Sequence, residues 1–126
     1  MKKILVIEDD PDIRENLVDL LSDQYEVISS SGGVLGLETL IKKKPDLVLS
    51  DVTMPGVDGY GVLTAMRHNP RTANIPFIFL TAKSSKDDIR LGMELMADDY
   101  LTKPYTRREL VSAIEARLRR TQKQNC

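Results

Sequence analysis

Apolar and polar residues change rhythm repeatedly along this chain. Residues 4–7 (ILVI) form a short, continuous, β-branched run, the pattern of a strand buried on both faces. Asp10 can cap a helix with Pro11 in its first turn, and Ile13, Leu17, Leu20 and Leu21 then share one helical stripe. Residues 25–29 (YEVIS) read as a second strand. Helical spacing at Val34, Leu37 and Ile41 follows, stopped by Pro45. Residues 47–50 (LVLS) predict a third buried strand, residues 62–67 the centre of a short helix, and 77–80 (FIFL) a fourth strand. Ser84 or Ser85, with Asp87 and Asp88 behind it, starts another helix. On that helix Ile89, Met93 and Met96 form one stripe. Leu91 and Leu95 fall opposite it, as a partner-binding patch or with one of them buried at the helix end. Residues 99–102 (DYLT) predict a fifth strand. Thr106 with Glu109 makes a second capping box, and Leu110, Ile114 and Leu118 mark the core stripe of the last helix.

The pattern is β-α five times over. It predicts an α/β fold, an open parallel sheet with helices on both faces. In such sheets ligands sit at the carboxyl ends of the strands, beside the point where strand order reverses.

Composition narrows the function classes. The chain has 126 residues, 41% of them hydrophobic, enough for one ordinary domain and its core. Eighteen basic and 19 acidic residues leave a formal net charge of −1, so a global basic field for nucleic acid is missing. No apolar run approaches a membrane span. The opening MKKILVIEDD has lysines before apolar residues, but the apolar run ends at Glu8, unlike a signal peptide. The one cysteine, Cys126, cannot form an internal disulfide, which fits a cytoplasmic protein. Residues 1–120 are expected to form the domain, and 121–126 a polar tail or the start of a linker.

The candidate chemistry lies just beyond the strand ends. Glu8, Asp9 and Asp10 follow the first strand, Asp51 the third, Thr81 the fourth and Lys103 the fifth. Carboxylates gathered in a half-buried site cannot all ionise cheaply, and a hard divalent cation removes the conflict. Oxygen ligands suit Mg²⁺, with Mn²⁺ as a substitute, and no His or Cys cluster competes for zinc. A lysine and a threonine hydroxyl facing the metal would supply donors for phosphoryl oxygens, and an aspartate there can act as nucleophile. Asp10 is read as a helix cap rather than a ligand.

These motifs (ILVIEDD, PDLVLSDVTMPGVDGYG, IPFIFLTAK and ADDYLTKPY) resemble, in order and spacing, the receiver domain of two-component response regulators. The resemblance covers residues 3–118. It implies a flavodoxin-like sheet of order 2-1-3-4-5 with five helices. It implies that Asp51 is the phosphoacceptor, that Glu8, Asp9, Asp51 and the Thr53 backbone carbonyl hold Mg²⁺, and that Lys103 binds the phosphoryl group. Thr81 and Tyr100 match the switch residues, the N–H groups of Val52 and Ala82 the phosphoryl cradle, and the bond before Pro104 one that is usually cis. The implied donor is a sensor histidine kinase or a phosphotransfer protein. The implied output runs through the surface of the fourth helix, fifth strand and fifth helix to a downstream effector, with a phosphorylation-dependent homodimer among the arrangements. The domain itself would catalyse only its own phosphorylation and dephosphorylation, and touch neither nucleic acid nor membrane.

Departures from the family pattern matter. Met96 stands where the family carries Gly. A left-handed backbone there would cost a methionine on the order of 1 kcal/mol, so the expectation is a remodelled turn or a helix that runs on. Tyr105 replaces the usual Phe. Thr53 and Lys83, at lifetime-tuning positions, offer no acid or amide to position an attacking water, which suggests slow self-hydrolysis. Ala113 and Ile89 stand where the winged-helix branch would be expected to show arginines, so that branch is not assigned. Rival readings fare worse. A phosphohydrolase of the haloacid-dehalogenase type needs a second Asp where Thr53 stands. A flavodoxin-type module needs a phosphate-cradling loop where EDDPD is acidic. No P-loop occurs, and a scaffold that is never phosphorylated would lack the Asp or Lys that are present.

Overall fold

The computed structural model describes residues 1–124, with side chains through Arg120. Five strands and five helices alternate: β1 (Lys3–Ile7), α1 (Pro11–Leu21), β2 (Glu26–Ser30), α2 (Gly33–Lys43), β3 (Leu47–Ser50), α3 (Gly59–His68), β4 (Phe77–Thr81), α4 (Lys86–Glu94), β5 (Asp99–Thr102) and α5 (Arg107–Gln124). The strands are parallel and lie in the order β2-β1-β3-β4-β5, as the resemblance implied. Strand period places alternate side chains on opposite faces. Ile4, Val6, Leu47, Leu49, Ile78 and Leu80 pack with α1 and α5, while Leu5, Ile7, Val48, Phe77 and Phe79 pack with α2 and α3.

Helix starts follow the side chains expected of them. Asp10 accepts from the N–H groups of Asp12 (2.9 Å) and Ile13 (3.3 Å), with Pro11 in the first turn. Ser85, rather than Ser84, caps α4 by accepting from Asp88 N–H at 3.0 Å. Thr106 and Glu109 exchange bonds at 3.1 and 3.0 Å, the reciprocal capping box. Helix α5 runs through Gln124, so it takes in the described part of the segment expected as a polar tail or the start of a linker; residues 125 and 126 lie outside the described residues.

Two helix faces differ from the hydrophobic pattern. On α2, Val34 and Ile41 are exposed (57% and 43%), and the buried positions are Gly33, Gly36 and Leu40. Added Cβ atoms at Gly33 and Gly36 would stand 2.4 Å from the Val57 carbonyl oxygen and 2.6 Å from Ile7 Cδ1. The helix thus approaches the sheet along its glycines, and that approach turns Val34 and Ile41 outward while Leu37 still packs against the core. On α4, Met93 and Met96 are exposed and Gly92 is buried, with Leu95 packed against the core and Leu91 exposed.

The turn after α4 also departs from expectation. It is neither remodelled nor absorbed by a longer helix. Met96 adopts φ +77°, the Met96 N–H reaches Met93 O (3.1 Å) and the Ala97 N–H reaches Gly92 O (3.1 Å). These two bonds are the Schellman ending, with methionine in the left-handed position that glycine usually takes.

Candidate phosphoacceptor site

The parallel ladders continue past the strand ends and align the candidate residues. Glu8 N–H donates to Ser30 O (3.0 Å), Asp51 N–H to Ile7 O (3.2 Å) and Lys103 N–H to Thr81 O (2.9 Å). Glu8 and Asp51 therefore leave β1 and β3 side by side, where strand order reverses, and Thr81 and Lys103 leave the next strands in the same direction. The close seating of α3 helps: a Cβ at Gly59 would lie 2.2 Å from the Asp51 carbonyl oxygen.

Lys103 joins the two carboxylates. Its Nζ lies 3.4 Å from Asp51 Oδ2 and 3.6 Å from Glu8 Oε1. The Lys103–Pro104 peptide bond is cis, as the resemblance implied. Asp51 Oδ1 accepts from the N–H of Val52 (2.6 Å) and of Thr53 (3.3 Å), so the carboxylate is held by its own loop. Here the Val52 N–H serves Asp51 itself. Thr81 is buried, and its Oγ1 accepts from Lys83 N–H at 3.2 Å.

Glu8 carries the strain of the site. It is 3% exposed, and its pKa is pushed up to about 7. Burial is the main cause; the Asp10 N–H bond opposes it, Asp51 and Asp9 push it further up, and Lys103 draws it back. Asp9 is exposed beside it. Among the described residues no three or more His, Cys, Asp or Glu side chains are already gathered as a metal cage. The donors nonetheless fit a hard cation: they are oxygens, one of them buried at a cost in its charged form, with one lysine to balance them. Tyr105 packs against the core on the α1 side, its phenol pKa raised by burial and then by Glu8 and Asp51.

Sequence reasoning passed over three residues at this rim. Arg14 Nη1 donates to the carbonyl oxygens of Glu8 (2.9 Å) and Asp9 (3.5 Å), tying α1 to the acidic loop. Tyr60, on α3, donates to Asp88 O at 3.2 Å. Gly92 lies against the ring of Tyr100, which a Cβ would approach to 3.0 Å. None carries a sequence signal beyond its residue type.

Residues 4–115 match the family model described as the response regulator receiver domain. The chain belongs to this family. The receiver is 38% identical over 96% of its length to the "DNA-binding dual master transcriptional regulator RpaA" of Synechocystis sp., and 39% identical over 95% to the "Phosphate regulon transcriptional regulatory protein PhoB" of Pseudomonas aeruginosa. It covers 51% and 53% of those proteins, about half the length of the curated relatives it matches. Among solved structures it resembles a receiver domain protein of Clostridium thermocellum, with TM-score 0.90 and 32% identity, covering 97% of this chain and 98% of that one. Among the described residues of this receiver no helix is long and apolar enough to cross a membrane.

Proposed function

We propose that this receiver takes a phosphoryl group onto Asp51 from the phosphohistidine of a sensor kinase or phosphotransfer protein in the cytoplasm, and passes the change to its α4-β5-α5 surface. The observation that carries this reading is the Lys103 ammonium set between Asp51 and Glu8, 3.4 and 3.6 Å away, at adjoining strand ends.

Glu8, Asp9, Asp51 and the Thr53 carbonyl would hold Mg²⁺, which neutralises phosphoryl charge when bound. The Asp51 carboxylate attacks phosphorus in line. A new O–P bond forms as the N–P bond to imidazole breaks, and its electron pair stays on the departing nitrogen. Val52 and Thr53 N–H groups hold Asp51 in place, while Lys103 donates to the phosphoryl oxygens. The product carries about −1.5 to −2 charges on Asp51. Thr81 and Lys103 face that charge from the next strand ends, and Tyr100, on β5, couples the rim to α4. The catalysis is limited to the domain's own phosphorylation and its reversal. The α4-β5-α5 surface serves the effector or a second copy of the chain.

The test is intact-mass measurement after exposure to acetyl phosphate and MgCl₂. The wild type should gain one phosphoryl adduct and Asp51→Asn none; an adduct on the variant, or none on wild type, overturns the reading. With Thr53 and Lys83 at the lifetime positions the adduct should persist well beyond seconds.

A further inference from the structure

The Phe79 ring stands between two tyrosines, with ring centroids 5.4 Å from Tyr60 and 5.5 Å from Tyr100. Each phenol gives its one proton to a backbone carbonyl at the start of α4. Tyr60, from α3, donates to Asp88 O in the first turn at 3.2 Å. Tyr100, from β5, donates to Lys83 O in the β4–α4 loop at 2.8 Å. Both phenols are raised in pKa, burial being the main cause. Gly92 makes the room: a Cβ there would stand 3.0 Å from the Tyr100 ring and 3.2 Å from that of Phe79.

The β4–α4 loop follows Thr81, the last residue of β4, and carries Lys83, so it joins the phosphoacceptor rim to α4 directly. Arms from separate elements hold it. Tyr100 alone could swing away and release the Lys83 carbonyl, but Tyr60 would still grip the first turn of α4 and keep the aromatic slot shaped around Phe79.

We propose that Tyr60 is a positioning residue of the switch, the second arm of a tyrosine clamp that holds the β4–α4 loop closed and keeps the Tyr100 ring inward. The inference rests on the reading that phosphorylation of Asp51 is relayed through Thr81 and Tyr100. Removing the Tyr60 hydroxyl deletes one neutral hydrogen bond, the one to the Asp88 carbonyl, while Phe in its place keeps the ring against Phe79. A bond of that kind changes a two-state ratio roughly fivefold.

The experiment compares wild type and Tyr60→Phe, both labelled with 3-fluorotyrosine, by ¹⁹F NMR, reading the Tyr100 signal assigned through Tyr100→Phe. Spectra are taken at rest and after acetyl phosphate with MgCl₂, with intact mass measured alongside. The inward-to-outward ratio of Tyr100 should fall about fivefold in Tyr60→Phe, with the yield of phosphoryl adduct unchanged. An unmoved Tyr100 signal overturns the clamp, and so does a variant that only melts earlier. Absence of an adduct on wild type would strike the Asp51 reading instead, and the resting spectra would still decide the clamp.

Discussion

Replacing Met96 by glycine should stabilise this receiver. At φ +77° an L side chain is crowded by its own backbone, at about 1–2 kcal/mol over glycine. Glycine loses more freedom on folding, which takes back about 0.5–1 kcal/mol. Little packing is at stake, because Met96 is 66% exposed. The Schellman bonds involve backbone only and survive the change. The turn is also clamped from outside. The Arg67 guanidinium donates to the Met96 carbonyl at 3.1 and 2.8 Å, to those of Ala73 and Ile75 at 3.0 and 2.6 Å, and pairs with Asp98 at 3.0 Å. Such over-determination is what lets a strained residue persist. The net gain is then about 0.5–1 kcal/mol, or roughly 2–5 °C in melting midpoint for a domain of this size. Urea titration of wild type, Met96→Gly and Met96→Ala checks it, since alanine keeps the Cβ and should gain nothing. Equal midpoints for the two variants, or a lower midpoint for glycine, would refute the left-handed strain.

Further outcomes follow from the site and the glycine faces. Glu8 has a folded pKa of about 7 against an ordinary 4.5. The folded chain therefore keeps a proton that the unfolded chain releases, and this stability is full below the ordinary value and lost as pH rises through 7. Without metal, denaturation midpoints should fall between pH 5 and pH 8 by the equivalent of up to ~3 kcal/mol. Glu8→Gln or added MgCl₂ should flatten that fall; a metal-free wild type that is level across this range would count against the burial argument. Gly33→Ala should cost about 1–3 kcal/mol, because its methyl meets a backbone carbonyl. Val34→Ser, one residue on, should stay within about 0.5 kcal/mol. Calorimetry showing the reverse order would restore the hydrophobic stripe to the core.

Much of this protein was legible along the chain. Continuous apolar runs leading into Glu8, Asp51 and Thr81 placed those residues at strand ends, because a parallel sheet buried on both faces has no other place for its polar termini; the short DYLT run did the same for Lys103. The caps Asp10, Ser85 and Thr106 act through neighbours within a few residues, so local sequence suffices for them. Tertiary structure decided the rest. The inner faces of α2 and α4 come closest to their neighbours at Gly33, Gly36 and Gly92, which a hydrophobic count passes over because a glycine packs by letting the neighbouring element come near. Met96 keeps its left-handed turn because Arg67, distant in sequence, holds its carbonyl. Tyr60 reaches Asp88 O only once α3 and α4 are seated around Phe79. Which residue types stand at the rim is a property of the sequence; which side chains share a contact depends on distances that only the packed sheet and helices set.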